Sequence, residues 1–339
     1  MGFALCFTSA LEYWNVCAAR RGQASASDKP FSVKTPSERM RDTEAFARHA
    51  ANSPQKPTKE DTNRLLELLE KRPLHIMVGN PAERISRPEI SCHVFAQPLP
   101  SASLAKIFPG AYACAPEFAF VQMGTKLPFI QLVKLGFEIC GTYSETSRGI
   151  EKRPSLTTAE KLLETATSTS FPGCENAARA ASYVLDGSAS PRETQLARLL
   201  SLPAKYGGYG LPRPLLNHRI ALSRQSGVIG KHTLICDLFW PDANLAIEYD
   251  SDEFHTGALA ISRDSQRRIA LEVEGITCIN IVNMRLKSFV AFDETALGIA
   301  KILGKRIRRD PHAFAKKNRE LREAIGIATD AFEEDMYSM

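Results

Sequence analysis

No stretch of this 339-residue chain approaches the ~18 consecutive apolar residues that a membrane-crossing helix requires. The start, Met1 to Cys6, has no basic leader region, and Glu12, Arg20 and Arg21 interrupt it early. A secretory signal is therefore not expected. Gly2 is followed at position 6 by Cys6 rather than Ser or Thr, which argues against N-terminal acylation. No two of the eight cysteines (Cys6, Cys17, Cys92, Cys114, Cys140, Cys174, Cys236 and Cys278) form a C-x-x-C pair. That argues against a disulfide framework or structural zinc and points to free thiols in a reducing cytoplasm. Charge of one sign is scarce too. Lys plus Arg number 43 against 38 Asp plus Glu, a net +5, which permits a polyanionic partner without demanding one. There is no internal repeat and no low-complexity tract.

What is present is ordinary for a globular chain: 44% hydrophobic and 24% charged residues, at a length that suits two domains. In the first half a helix is expected from Thr8 to Arg21. Thr35, Pro36 and Glu38 carry the cap, N1 proline and N3 acid of another, and Thr58 opens a third. Short apolar runs at His75 to Val78, Ile90 to Ala96 and Ala111 to Ala115 predict strands of a small sheet. Pro116 and Glu117 then begin a helix. Further helices are expected at 127–138, 157–165 and 175–185.

The turn-forming cluster Asp186, Gly187, Ser188 and Ala189 predicts a domain boundary, dividing 1–186 from 187–310. After it the pattern reads helix, strand hairpin, helix, strand, helix. The first helix opens at Ser190 with Pro191 and Glu193. Strands fall at 234–240, 244–250 and 277–282, and helices at 264–274 and 293–309. Residues 311–339 read as a peripheral helix or loose tail.

The hairpin carries the informative chemistry. With alternating side chains, Leu238, Trp240, Leu245, Ile247 and Tyr249 share one face, and Asp237, Glu248 and Asp250 the other. A turn centred between Asp242 and Ala243 sets Asp237 opposite Glu248, with Cβ atoms ~5 Å apart. Like charges so placed repel. Mg²⁺ or Mn²⁺ between them would relieve the repulsion and suit phosphodiester hydrolysis. The solvated outer face of a hairpin accounts for the same spacing equally well. His255, just past the second strand, has the pKa of a general acid or base and also suits a surface position. Glu193 is sufficiently explained by its capping box with Ser190. Arg267 and Arg268 could face a phosphate, although Asp264 and Arg268 are spaced as a helix salt bridge. Lys305, Arg306, Arg308 and Arg309 end a basic run. They suit either phosphate contact or favourable charge at a helix C-terminus.

Ser190 to Leu196, Leu211 to Asn217, Asp237, Glu248, Asp250, His255, Asp264 to Arg267 and Gly275 recur in the order found in a known family. Over about Ser190 to Lys305 the chain resembles the small endonuclease domain related to the very-short-patch mismatch repair endonuclease, within the restriction-endonuclease-like PD-(D/E)xK superfamily. The resemblance implies an α/β fold with a mixed sheet flanked by helices. It also implies Asp237 and Glu248 as metal ligands with Asp250 in the place of the superfamily's lysine, Glu193 as an accessory acid, and His255 as the histidine after the acidic strand. Ser251 replaces a common glycine.

The first half is similar, more faintly, to AbiEi-type antitoxin and regulator proteins, through residues 75–78, 92–94, 112–123 and 135–143. That implies a small α/β regulatory domain and a phage-defence or regulatory setting, with a toxin or regulatory protein as a further partner. The expectation for the whole chain is a cytoplasmic, DNA-directed, magnesium- or manganese-dependent endonuclease. The alternative is a DNA-binding regulator or antitoxin that keeps the nuclease fold without the chemistry.

Overall fold

The computed structural model describes residues 2–23, 34–52, 56–95, 97–223, 232–250 and 258–327. The chain is mixed α/β and divides into two compact units, Met1–Val184 and Leu185–Met339.

Unit 1 is built on a five-stranded sheet with order β3-β2-β1-β5-β4. Its strands are β1 (Phe3–Leu5), β2 (Leu74–Val78), β3 (Ile90–Val94), β4 (Leu104–Phe108) and β5 (Ala111–Cys114). β1 lies antiparallel to β2 and parallel to β5. Phe7 takes φ 49° and turns β1 directly into helix α1 (Phe7–Gln23), and its N–H donates to Gln122 Oε1 at 3.0 Å. Helices α2 (Pro36–Asn52) and α3 (Lys59–Leu68) begin where their capping signals fall. α4 (Pro116–Met123) is buried at every position. It packs against α1, against α5 (Phe129–Cys140), and against α6 (Ala159–Thr167) and α7 (Cys174–Ala181). β6 (Tyr143–Thr146) and β7 (Gly149–Lys152) form a separate hairpin.

Unit 2 opens with α8 (Pro191–Ser201), capped by the Ser190 hydroxyl. Its four-stranded sheet has order β11-β10-β9-β8, from β8 (Leu215–Ala221), β9 (Thr233–Trp240), β10 (Leu245–Asp250) and β11 (Thr277–Val282). β8, β9 and β10 are antiparallel neighbours, and β11 runs parallel to β10. Parallel neighbours need a crossover, here supplied by α9 (Ala258–Val273). α10 (Asn283–Lys287), α11 (Phe289–Ile302) and α12 (Pro311–Ala324) follow.

Two expectations change here. Of the two alternatives for the segment beginning at 311, a helix forms, α12, and it is integral to unit 2 rather than peripheral: Phe314, Leu321, Ile325 and Ile327 are buried, with Asn318 and Arg322 fully enclosed. Arg322 donates to Asn318 Oδ1 and to the Leu286 carbonyl, each at 2.6 Å, and Asn318 donates to the Gly207 carbonyl at 2.7 Å. Gly207 has φ +88°, and a Cβ there would stand 2.2 Å from the Lys317 carbonyl oxygen, so only glycine admits α12 this closely. The basic run is also not helical to its end. The Lys305 N–H bonds back to the Ala300 carbonyl at 2.8 Å around Gly304 at φ +63°, a Schellman-type stop that leaves 305–310 outside any helix.

Candidate functional site

The β9–β10 register pairs Trp240 with Leu245, Phe239 with Ala246 and Leu238 with Ile247. One further step sets Asp237 against Glu248. The turn position chosen from the sequence is therefore the one that forms.

The alternation is less regular than the register. Cys236 and Phe239, three residues apart, both enter the buried cluster with Leu234, Ala246, Ala270 and Leu271, so the strict two-residue period breaks between them. The break lies opposite Asn217 on β8, bracketed by the pairs Leu216–Leu238 and His218–Cys236, where φ is +47°. This local twist puts Cys236 beside Glu248 and leaves Asp237 where both Glu193 and Glu248 act on it.

Asp237 accepts the Tyr249 backbone N–H at 2.8 Å. Burial, reinforced by Glu193 and Glu248, nevertheless pushes its pKa up to about 7, against the lowering effects of that N–H and of Arg267. A carboxylate held this far from its ordinary range is a candidate functional residue.

Glu248 already has a cation. Arg267, from α9, donates through Nε to Oε2 at 2.8 Å and to Oε1 at 3.0 Å, and through Nη2 to Oε1. Nη2 also reaches the Ile235 carbonyl. Both side chains are largely covered, at 18% exposure for Glu248 and 31% for Arg267. The thiols of Cys236 and Cys278 are each driven up to about 12, by burial first and then by Glu248, so neither is a nucleophile at neutral pH. A cavity of about 240 Å³ opens beside Glu248, bordered by Asp250, Arg267, Arg268 and Asn280.

The other expected site residues fall as follows. Glu193 serves its cap: Oε2 accepts the Ala189 N–H at 2.8 Å and the Asn217 amide, and Oε1 accepts the Ser190 hydroxyl at 2.9 Å. Arg267 faces Glu248 rather than open solvent. Arg268 is exposed at the cavity rim. Lys305, Arg306 and Arg308 are exposed. Arg309 is tied down: Nη2 contacts both oxygens of Asp293, Oδ2 at 2.7 Å, and the guanidinium lies 4.0 Å from the Phe314 ring centroid. His255 and the Asp264 side chain lie outside the described residues.

Two residues beside the acidic pair have no role in the sequence reading. Asn217 and Asn280 flank the acidic pair on β8 and β11, and only the fold brings them there. Arg267 was noticed, but as a phosphate contact.

Among the described residues, no three or more His, Cys, Asp or Glu side chains gather to hold a metal. Mg²⁺ is commonly held by one or two carboxylates together with water and substrate phosphate. By donor chemistry Asp237 and Glu248 fit that kind of site, with Glu248 presently engaged by Arg267.

In unit 1, His75 Nδ1 and His93 Nε2 stand 3.0 Å apart, with ring planes 21° apart. The Phe7 ring lies 4.7 Å from that of His93. Burial lowers the pKa of both, His93 to about 4 with help from His75, Lys126 and Arg84.

All eight cysteines are free, and no helix among the described residues is long and apolar enough to cross a membrane. No family model, curated protein or solved structure matches the chain.

Proposed function

We propose that unit 2 is a metal-dependent DNA endonuclease domain of the restriction-endonuclease-like kind, with Asp237 and Glu248 as its acidic pair. The carrying observation is Asp237: a mostly buried carboxylate set against Glu248 and Glu193, whose pKa of about 7 reflects a charge that its surroundings leave poorly compensated. The mixed sheet with α8 and α9 beside it supports the resemblance to the very-short-patch-repair-type domain. Exposed Arg268, Lys305, Arg306 and Arg308 supply cations suited to a phosphate backbone.

Asp237 and Glu248 would hold the divalent cation. When bound, such an ion polarises the phosphate and lowers the pKa of attacking water. The chain's own residues do the rest. Asp237 is oriented by the Tyr249 N–H, Glu193 fixes the start of α8, and Arg268 meets phosphate at the cavity mouth. Unit 1, by its AbiEi-type likeness, is read as the regulatory part. The Arg267–Glu248 pair favours a second reading, a DNA-binding regulator that keeps the fold without cutting.

Incubating the purified chain with duplex and single-stranded DNA, with and without Mg²⁺ or Mn²⁺, separates the two. The endonuclease reading expects metal-dependent cleavage that is lost in Asp237→Ala and Glu248→Ala. Cleavage persisting in both variants would refute the site, and salt-sensitive binding without cleavage would favour the regulator.

A further inference from the structure

We propose that Arg267 is an internal stand-in for the site's cation: its guanidinium must leave Glu248 before a divalent metal can settle there, and it then turns to substrate phosphate. This inference rests on the endonuclease reading above.

Three observations carry it. The fork of Arg267 covers both oxygens of Glu248, so bidentate pairing and metal ligation by those oxygens exclude each other. The pair also sits beside a second acid, since one step beyond the Leu238–Ile247 pair the register sets Asp237 against Glu248. The displaced side chain also has somewhere to go. Arg267 and Arg268 border the same cavity of about 240 Å³ as Glu248 and Asn280, so a phosphate entering it meets two neighbouring guanidinium groups. Planar forks suit phosphate as well as carboxylate.

The consequence is coupling. In the free protein the metal competes with Arg267, and its apparent affinity is the intrinsic affinity multiplied by the fraction of molecules in which Glu248 is released. A DNA phosphate gives Arg267 a second anion, so DNA tightens metal binding, and by linkage metal tightens DNA binding to the same degree. The metal site is completed by substrate.

The test is Mn²⁺ binding by the full chain, followed by calorimetry and by electron paramagnetic resonance, without measuring cleavage. Arg267→Met is expected to bind Mn²⁺ about fivefold or more tightly than the wild type when DNA is absent. A short duplex with non-cleavable phosphorothioate linkages should tighten Mn²⁺ binding in the wild type and not in the variant. Arg267→Gln, which keeps a donor but no charge, repeats the comparison should the Met variant fold poorly, with thermal melts showing which is native. Equal or weaker Mn²⁺ affinity in the folded variant overturns the proposal. If wild-type binding is meanwhile lost in Glu248→Gln, the metal-site reading stands and only the stand-in role falls. If neither the wild type nor the Arg267 variant binds Mn²⁺, both fall together.

Discussion

The Asp237 carboxylate accepts the Tyr249 backbone N–H at 2.8 Å, just past the end of the β9–β10 ladder, whose last pair is Ile247 and Leu238. A side-chain acceptor thus serves the backbone where the strands part, and the same side chain bears a charge that burial, Glu193 and Glu248 all disfavour. Asp237→Asn keeps an oxygen for Tyr249 and removes the charge. It should stabilise the metal-free protein by about 1 kcal/mol, raising the melting temperature by about 2–4 °C. Asp237→Ala abandons the N–H and should be less stable than the Asn variant. Thermal melts at pH 7.5 compare the three proteins. An Asn variant no more stable than the Ala variant would show that repulsion is not the governing effect.

Glu193 makes a contrasting prediction. Its oxygens accept from Ala189, Ser190 and Asn217, so every described contact is that of a cap and a strand anchor. Glu193→Gln turns an NH₂ group toward donors and should lower stability by about 1–3 kcal/mol, read from urea denaturation. A variant with an unchanged midpoint would return Glu193 to the accessory-acid role implied by the family resemblance.

The sequence made the hairpin readable because its signals are local. Proline, aspartate and asparagine mark the turn, and the apolar alternation on either side sets the register, so Trp240 opposite Leu245 could be anticipated. β8 could not. Asn217, His218 and Arg219 interrupt its apolar pattern, and Asn217 is tolerated there because its amide finds Glu193 and the Gly187 carbonyl. β1 is three residues long and inseparable by pattern from the helix that follows it. The Arg267–Glu248 pair could not be read for a related reason: its partners are nineteen residues apart and meet through a crossover connection that no local pattern encodes. The resemblance to known nucleases drew attention to Asp237 and Glu248 without indicating that Glu248 pairs with Arg267.

The basic run divides into two kinds of residue. Arg309 is pinned by Asp293 and lies over Phe314 and Tyr209, while the Tyr209 hydroxyl donates to the same Asp293. Arg309→Ala should destabilise the fold by about 2–3 kcal/mol, because it strands a largely covered carboxylate. Replacing Lys305, Arg306 and Arg308 together by Ala should leave stability within about 0.5 kcal/mol while weakening DNA binding and flattening its salt dependence. Chemical denaturation and fluorescence anisotropy at several salt concentrations check the two halves. DNA affinity insensitive to the triple substitution would remove this segment from the interface.

The His75–His93 pair predicts an acid-sensitive unit 1. His93 falls from the ordinary 6.5 to about 4 in the folded chain, through burial first and then through His75, Lys126 and Arg84. Between those values the unfolded chain binds a proton that the folded chain refuses. Stability therefore rises with pH across this window, is complete above about 6.5, and is lost as pH falls toward 4. His75 is lowered as well and adds to the same slope. The contribution is about 1 kcal/mol per pH unit or less, since both rings are only partly covered. His93→Asn should flatten the decline in urea-denaturation midpoint between pH 7 and pH 5, at some loss of stability at pH 7 where the ring contact with Phe7 is missing. A variant that keeps the wild-type acid slope would place the titrating group elsewhere. A wild type with no slope in this window would mean that the partly covered pair takes up its proton without strain.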